Sequence, residues 1–232
     1  LSDFCAHLQA ATSGEDNPIP LCQGDGEETL FVFHASDGDI SAWLPLASAL
    51  NRRVFGLQAK SPQRFATLDQ MIDEYVGCIR RQQPHGPYVL AGWSYGAFLA
   101  AGAAQRLYAK GKQVRMVLID PVCRQDFCCE NRAALLRLLA EGETPLALPE
   151  HFDQQTPDSQ LANFISLAKT AGMVSQNLTL QAAETWFDNI AHLLRLLTEH
   201  TPDETIPLPC LIVHAAMRPA RWTPAETEWQ TW

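Results

Sequence analysis

The stretch Tyr88-Val89-Leu90-Ala91-Gly92-Trp93-Ser94-Tyr95-Gly96-Ala97 decides the fold. Its first four residues are an unbroken apolar run of strand length that follows the helix stop Gly86-Pro87, and residues 97–110 read as a helix. Between strand and helix stands G-x-S-x-G, the pattern of a nucleophile elbow. The chemistry needs these residue types. A sharp strand-to-helix turn strains the backbone at Ser94, and a glycine on each side lets neighbouring chain come close. The helix N-terminus offers N–H groups and a positive dipole end to a developing oxyanion. Ala97, Ala100, Ala101, Ala103 and Ala104 are small, as close packing of that helix on a sheet requires. The bare motif also occurs by chance, as a serine in a glycine-rich turn; its place between this strand and this helix gives it weight.

Working outward, Leu30-Phe31-Val32-Phe33-His34 is a short strand running into the turn residues Ala35-Ser36-Asp37-Gly38-Asp39. Trp43, Leu46, Ala47 and Leu50 follow at helical spacing, then Val54-Phe55-Gly56-Leu57 makes another strand. Thr67 and Gln70 have capping-box spacing, and Leu68, Met71, Ile72, Tyr75, Val76 and Ile79 trace one apolar helix face. Residues 114–119 form a further buried strand, ended by Asp120-Pro121. Strands alternating with helices over short connections predict an α/β domain with a mostly parallel sheet flanked by helices. Over residues 123–205 the alternation breaks. Segments 133–140, 161–168 and 180–197 read as helices, with Pro145, Pro149 and Pro157 marking the gaps. About 80 residues are too many for a simple connection, so a helical lid inserted in the sheet is expected. The sheet resumes with Cys210-Leu211-Ile212-Val213-His214. Residues 1–28 are mixed and polar, with turn-formers from Gly14 to Pro20, and read as a linker leading into one domain over 29–232.

Composition narrows the function classes. The 232 residues are 47% hydrophobic and 19% charged, with a net charge of -9, enough chain for a sizeable core. An acidic balance with scattered Lys and Arg argues against a nucleic-acid partner, because no basic stripe can release counterions from phosphates. No apolar run reaches the roughly 18 residues of a membrane helix, and no leader peptide opens the chain. Both ends, Leu1 and Trp232, read as cut from something longer. Seven cysteines without a Cys-x-x-Cys pair, two of them the neighbours Cys128-Cys129, point to reduced thiols and a cytoplasmic setting. In that compartment the acceptor triplet Asn177-Leu178-Thr179 carries no meaning. Neither His nor Cys falls at metal-ligand spacing and no phosphate-binding G-x-x-x-x-G-K motif occurs, so no metal and no cofactor of its own are expected. Trp222, Trp229 and Trp232 read as packing groups.

A serine nucleophile needs a base and an orienting acid. Asp120, at the C-terminal end of its strand, is the candidate acid; the alternative is a turn aspartate before Pro121. The oxyanion hole should pair the Tyr95 N–H with a backbone donor from the loop after the first strand, Ser36 or the adjacent Ala35. The base is harder to find. His151 lies in the insertion, and His192 and His200 belong to a lid helix and its end. His214 ends the last strand, yet a base of this kind normally follows the final strand on a loop. The expected base therefore lies beyond Trp232, with His214 the candidate inside the sequence.

Phe55-Gly56-Leu57-Gln58-Ala59, the helix over 68–81, Gly86-Pro87-Tyr88 and Gly92-Trp93-Ser94-Tyr95-Gly96-Ala97 together resemble the thioesterase domains of non-ribosomal peptide and polyketide synthetases, which have the α/β-hydrolase fold. The likeness is close over residues 28–122 and looser over 210–214. Within the family the chain is most similar to terminal thioesterases of yersiniabactin-type siderophore synthetases. The resemblance places the family's elbow serine on Ser94, suits Asp120 as the acid, and matches the variable lid to 123–205. Where members often carry His-Pro-Ala-Gly-Gly, this chain has His34-Ala35-Ser36-Asp37-Gly38, which leaves the second oxyanion donor open. The implied substrate is an acyl or peptidyl chain held as a thioester on the phosphopantetheine arm of a carrier domain, the implied partner. Ser94 would form an acyl-enzyme, released by water or by a nucleophile within the chain. Hydrolysis in siderophore-type or antibiotic biosynthesis is the expectation. The alternatives are a free-standing editing thioesterase, a carboxylesterase, and a non-catalytic carrier-binding module.

Overall fold

A computed structural model describes residues 17–122, 131–141, 145–200 and 208–214. The three tryptophans after residue 214, the neighbours Cys128-Cys129 and the expected insertion bounds at 123 and 205 lie outside the described residues. Six strands form one sheet: β1 Ile19–Gln23, β2 Gly26–Phe33, β3 Arg52–Leu57, β4 Tyr88–Trp93, β5 Val114–Ile119 and β6 Cys210–Val213. Their order is β1-β3-β2-β4-β5-β6, all neighbours parallel except β1 against β3. Helices α1 Leu44–Ala49, α2 Leu68–Gln82 and α3 Tyr95–Ala109 connect β2 to β3, β3 to β4 and β4 to β5. Helices α4 Arg132–Ala140, α5 Pro157–Thr170 and α6 Leu180–Glu199 lie between β5 and β6.

The reading of residues 1–28 as a linker needs correction over residues 19–28. Residues 19–23 are a strand of the sheet, with Ile19 opposite Gly56, and β2 starts at Gly26. Two physical reasons made this segment look like a linker. It is an edge strand, where Pro20 and polar side chains are tolerated. Its glycine is demanded by contact, since a Cβ on Gly24 would stand 2.3 Å from the Arg52 nitrogen.

The pleat sorts the core into two layers. Phe31, Phe33, Tyr88 and Leu90 join α2, α3 and the insertion helices in one cluster. Leu30, Val32, Val89 and Ala91 join Trp43 and Ala47 on the other side. The start of α2 is capped as its sequence predicts: the Thr67 hydroxyl accepts the Gln70 N–H at 3.2 Å. The reciprocal bond goes one residue further out, from the Ala66 N–H to Gln70 Oε1 at 2.9 Å. Helix α3 is buried over most of its surface and lies close to α2; a Cβ on Gly102 would come 2.5 Å from Ile72 Cδ1.

In the insertion, Pro157 does not mark a gap. It is the first residue of α5, with Thr156 as N-cap, a position where the missing N–H is no loss. Thr179 caps α6, accepting the Ala182 N–H at 3.2 Å. The apolar face of α6, including Ala183, Phe187, Ile190, Leu194 and Leu197, packs into the main core. Polar clasps fasten the same helix to the body: Gln63 to Asn189 at 2.5 Å, and the His200 ring to Asp69 at 3.4 Å. The His192 ring reaches the Phe65 carbonyl at 3.1 Å. Among the described residues no helix is long and apolar enough to cross a membrane.

Candidate active site

Three parallel strands end side by side, and this places the expected site residues in one row. Trp93 is in register with Ile119, and Ile119 with Val213. The next residues are Ser94, Asp120 and His214. The Ser94 N–H donates to the Ile119 carbonyl at 3.0 Å, and the Asp120 N–H donates to the Val213 carbonyl at 2.7 Å. Neighbouring strands lie about 4.8 Å apart, so the row brings these three residues to one sheet edge, with Asp120 in the middle. Ser94 and Asp120 are half-buried and His214 is exposed.

Both Ser94 and Asp120 have left-handed backbones, φ 52° and 43°. Such angles in non-glycine residues typically cost about 1–3 kcal/mol and persist where the surroundings over-determine them. Here the surroundings are backbone. A Cβ on Gly92 would lie 2.1 Å from the Gly96 carbonyl oxygen, and one on Gly96 would lie 2.7 Å from the His34 oxygen. Only glycine fits at either position, so β4, the turn, α3 and the end of β2 meet directly. Ser94 is the N-cap of α3, but its side chain makes no capping bond. Its hydroxyl therefore stands beside the positive end of a long helix dipole.

The loop after β2 leaves the sheet next to Ser94, because Phe33 is in register with Gly92. The Trp43 indole donates to the Phe33 carbonyl at 2.9 Å and fixes the strand end. Residues 35–38 make a tight turn closed by the Gly38 N–H to the Ala35 carbonyl at 3.1 Å, with Gly38 at φ 81°. The Ser36 N–H has no hydrogen bond among the described residues, and the expected donor is thus available. Asp37 is ringed by protein but opens to solvent; crowding raises its carboxyl pKa to about 6, against a bond from the Asp39 N–H at 3.0 Å that favours the anion.

Two side chains here were not singled out from the sequence. His34 is fully buried and sits between aromatic rings, stacked on Tyr95 and edge-on to Tyr75, each centroid 5.8 Å away. Burial lowers its pKa to about 4. The Tyr95 hydroxyl runs through the core to donate to the Leu193 carbonyl on α6 at 3.1 Å, and burial pushes its pKa up. The sequence signal for His34 was its place at the end of a run whose every other member is apolar. Of the other described histidines, His192 and His200 fasten α6, the exposed His151 precedes a short turn of helix, and the exposed His85 lies in the bend before β4.

The chain has the α/β-hydrolase fold. It aligns with a thioesterase domain of known structure, Vlm2 with a bound dodecadepsipeptide, at TM-score 0.62 and 16% identity, over 87% of this chain and 79% of that one. It also aligns with the four-domain non-ribosomal peptide synthetase AB3403 at TM-score 0.73 and 23% identity, over 91% of this chain and 17% of that one. The family described as "Thioesterase domain" matches residues 28–170, and the chain belongs to that family. Among curated relatives, inactive atromentin synthetase invA4 of Paxillus involutus is 31% identical over 208 residues, 80% of this chain. Enterobactin synthase component F of Escherichia coli (strain K12) is 38% identical over 114 residues, 46% of this chain. The chain spans 21% of the first relative's length and 9% of the second's.

Proposed function

We propose that this chain is a serine thioesterase that releases an acyl or peptidyl group from the phosphopantetheine arm of a carrier domain. The observation that carries the reading is the strained Ser94 elbow, held backbone to backbone beside Asp120. In this reading Ser94 Oγ attacks the thioester carbonyl while its proton passes to a histidine base oriented by Asp120. The carbonyl oxygen becomes an oxyanion facing the Tyr95 and Ser36 N–H groups. The intermediate collapses, the C–S bond breaks, and the pantetheine thiolate takes the proton back from the base. Water then attacks the Ser94 ester and releases the free acid. His214 ends the last strand, whereas a base of this kind normally follows the final strand on a loop, so His214→Gln is expected to change the acylation rate less than tenfold.

Hydrolysis in siderophore-type biosynthesis is the finer part of the proposal. It rests on the sequence resemblance alone. Helices α4 to α6 are read as the lid that shapes access for the acyl chain. Free thiols at Cys22, Cys78 and Cys210 accord with a cytoplasmic setting. The test uses a carrier domain loaded with an acyl-pantetheine thioester and follows product by mass. The wild-type protein is expected to yield free acid, and Ser94→Ala to lower the rate by four or more orders of magnitude, as nucleophile removal does in serine hydrolases. A lactone or lactam product overturns hydrolysis; an unchanged rate in Ser94→Ala overturns the mechanism.

A further inference from the structure

We propose that His34 is a positioning residue for acyl transfer: its Nδ1–H holds the Ala35 carbonyl so that the Ser36 N–H faces the oxyanion. The proposal rests on the reading of Ser94 and the oxyanion hole given above and adds the side chain that aims the second donor.

The geometry has three parts. First, His34 Nδ1 lies 2.6 Å from the Ala35 carbonyl oxygen. A carbonyl can only accept, so this nitrogen carries the hydrogen and Nε2 is bare. Second, the Ala35–Ser36 peptide is trans, the cis bonds among the described residues being Asn17-Pro18 and Gly86-Pro87. In a planar trans peptide the C=O and the following N–H point in opposite directions. A carbonyl drawn toward the buried imidazole therefore turns the Ser36 N–H away from the core, on the side where the loop passes Ser94. Third, the ring has no freedom to swing: it is fully buried, with Tyr95 stacked on one face at 21° and Tyr75 against its edge at 80°. The Gly38 N–H reaches the same carbonyl at 3.1 Å, so the turn and the imidazole grip one oxygen from two sides.

A histidine is a poor choice for packing alone. Among the described residues, His34 Nε2 is buried without a hydrogen-bond partner, as is the Tyr75 hydroxyl. An unsatisfied buried acceptor is disfavoured, and an apolar ring would avoid it. The imidazole stays neutral because burial opposes its charged form, which leaves one donor, on Nδ1, and no buried charge. The Tyr95 ring that backs His34 belongs to the residue after Ser94, whose own N–H is the first oxyanion donor. The two donors thus share a stacked pair of side chains beneath them.

The test exploits shape. An Asn amide can reach where Nδ1 stands, a Gln amide where Nε2 stands, and Leu can do neither. The probe is octanoyl-N-acetylcysteamine, a truncated pantetheine thioester, with folding checked by circular dichroism. His34→Gln and His34→Leu are expected to lower kcat by about 10²–10³, as losing one oxyanion-hole donor does, with KM changed less than threefold. His34→Asn should recover most of that loss. If His34→Leu does not fold, the two amide variants, which bury equal polarity, decide. Equal kcat for the Asn and Gln variants, or a folded Leu variant with wild-type kcat, overturns the proposal. Ser94→Ala run alongside separates the two levels: if it abolishes turnover while the His34 variants have none of these effects, only the positioning role fails. A readout independent of activity is the imidazole tautomer by two-bond ¹H–¹⁵N correlation. The Nδ1–H form is expected from about pH 5 to pH 9, and an Nε2–H form contradicts the proposal whatever the turnover.

Discussion

Around Ser94 the chain is held backbone against backbone, whereas between β5 and β6 it is held side chain against side chain. At the elbow, Gly92 faces Gly96 and Ala97, and Gly96 faces the end of β2, at separations that admit no Cβ. In the insertion, α6 presents an apolar stripe to the core and a few polar clasps to α2 and its leading turn. Under the proposed function, the difference follows from what each region would do. A nucleophile needs its atoms fixed within a fraction of an ångström, and direct backbone contact supplies that rigidity. A region that shapes access for an acyl chain needs only a continuous surface, which packed side chains can rebuild after substitution.

The largest effect should come from Gly92→Ala. The new methyl would lie 2.1 Å from a carbonyl oxygen and 2.6 Å from the Ala97 Cα, neither of which can rotate away. Urea unfolding is expected to show a loss of about 4 kcal/mol or more, the range of severe overpacking and strain. A wild-type midpoint would break the distinction between the two regions. Next comes Phe187→Ala on α6, a 3% exposed ring under the Arg132 guanidinium. It should cost about 3–4 kcal/mol through the cavity it leaves. Phe187→Leu should cost about 1 kcal/mol, because a neighbouring side chain can adjust. Equal losses for the two would mean that the insertion is as unforgiving as the elbow.

The smallest effect sharpens the comparison at the oxyanion loop. The Asp37 carboxyl titrates at about 6 in the fold against 3.8 ordinarily, so the folded chain holds this proton more tightly than the unfolded chain. Its contribution to stability is therefore greatest at low pH and is lost as pH rises from about 4 through about 6. Asp37→Asn should match the wild type near pH 4 and exceed it at pH 7. Because the residue opens to solvent, screening keeps the gain under about 1 kcal/mol. A thermal scan at the two pH values measures it, and a variant less stable at pH 7 would contradict the sign.

The same contrast explains which parts were legible in the sequence. Strand β4, the elbow and α3 could be read because their constraints are local: two glycines, a serine and a run of alanines. The core of α2 was legible from its 3.6-residue apolar period. Strand β1 was not, because Ile19 alone of its residues is fully buried and an edge strand needs no alternation. The first turn of α5 was missed because its residues before Leu161 are mostly polar, so the apolar period starts late. At the candidate site, the proposed roles of Ser94 and Asp120 rest on a motif and a strand end, both visible in the sequence. His34 did not, since its environment depends on Tyr75 and Tyr95 arriving from two different helices. Periodicity cannot show which distant rings will close on one side chain.

The central claim is that Ser94 is a nucleophile poised by this backbone. Treating the protein with a serine-directed fluorophosphonate and mapping the adduct by peptide mass spectrometry tests it most directly. A single adduct on Ser94 is expected, slowed by about 10²–10³ in His34→Leu and absent in Ser94→Ala. An adduct on another serine, or none on the folded protein, would contradict it.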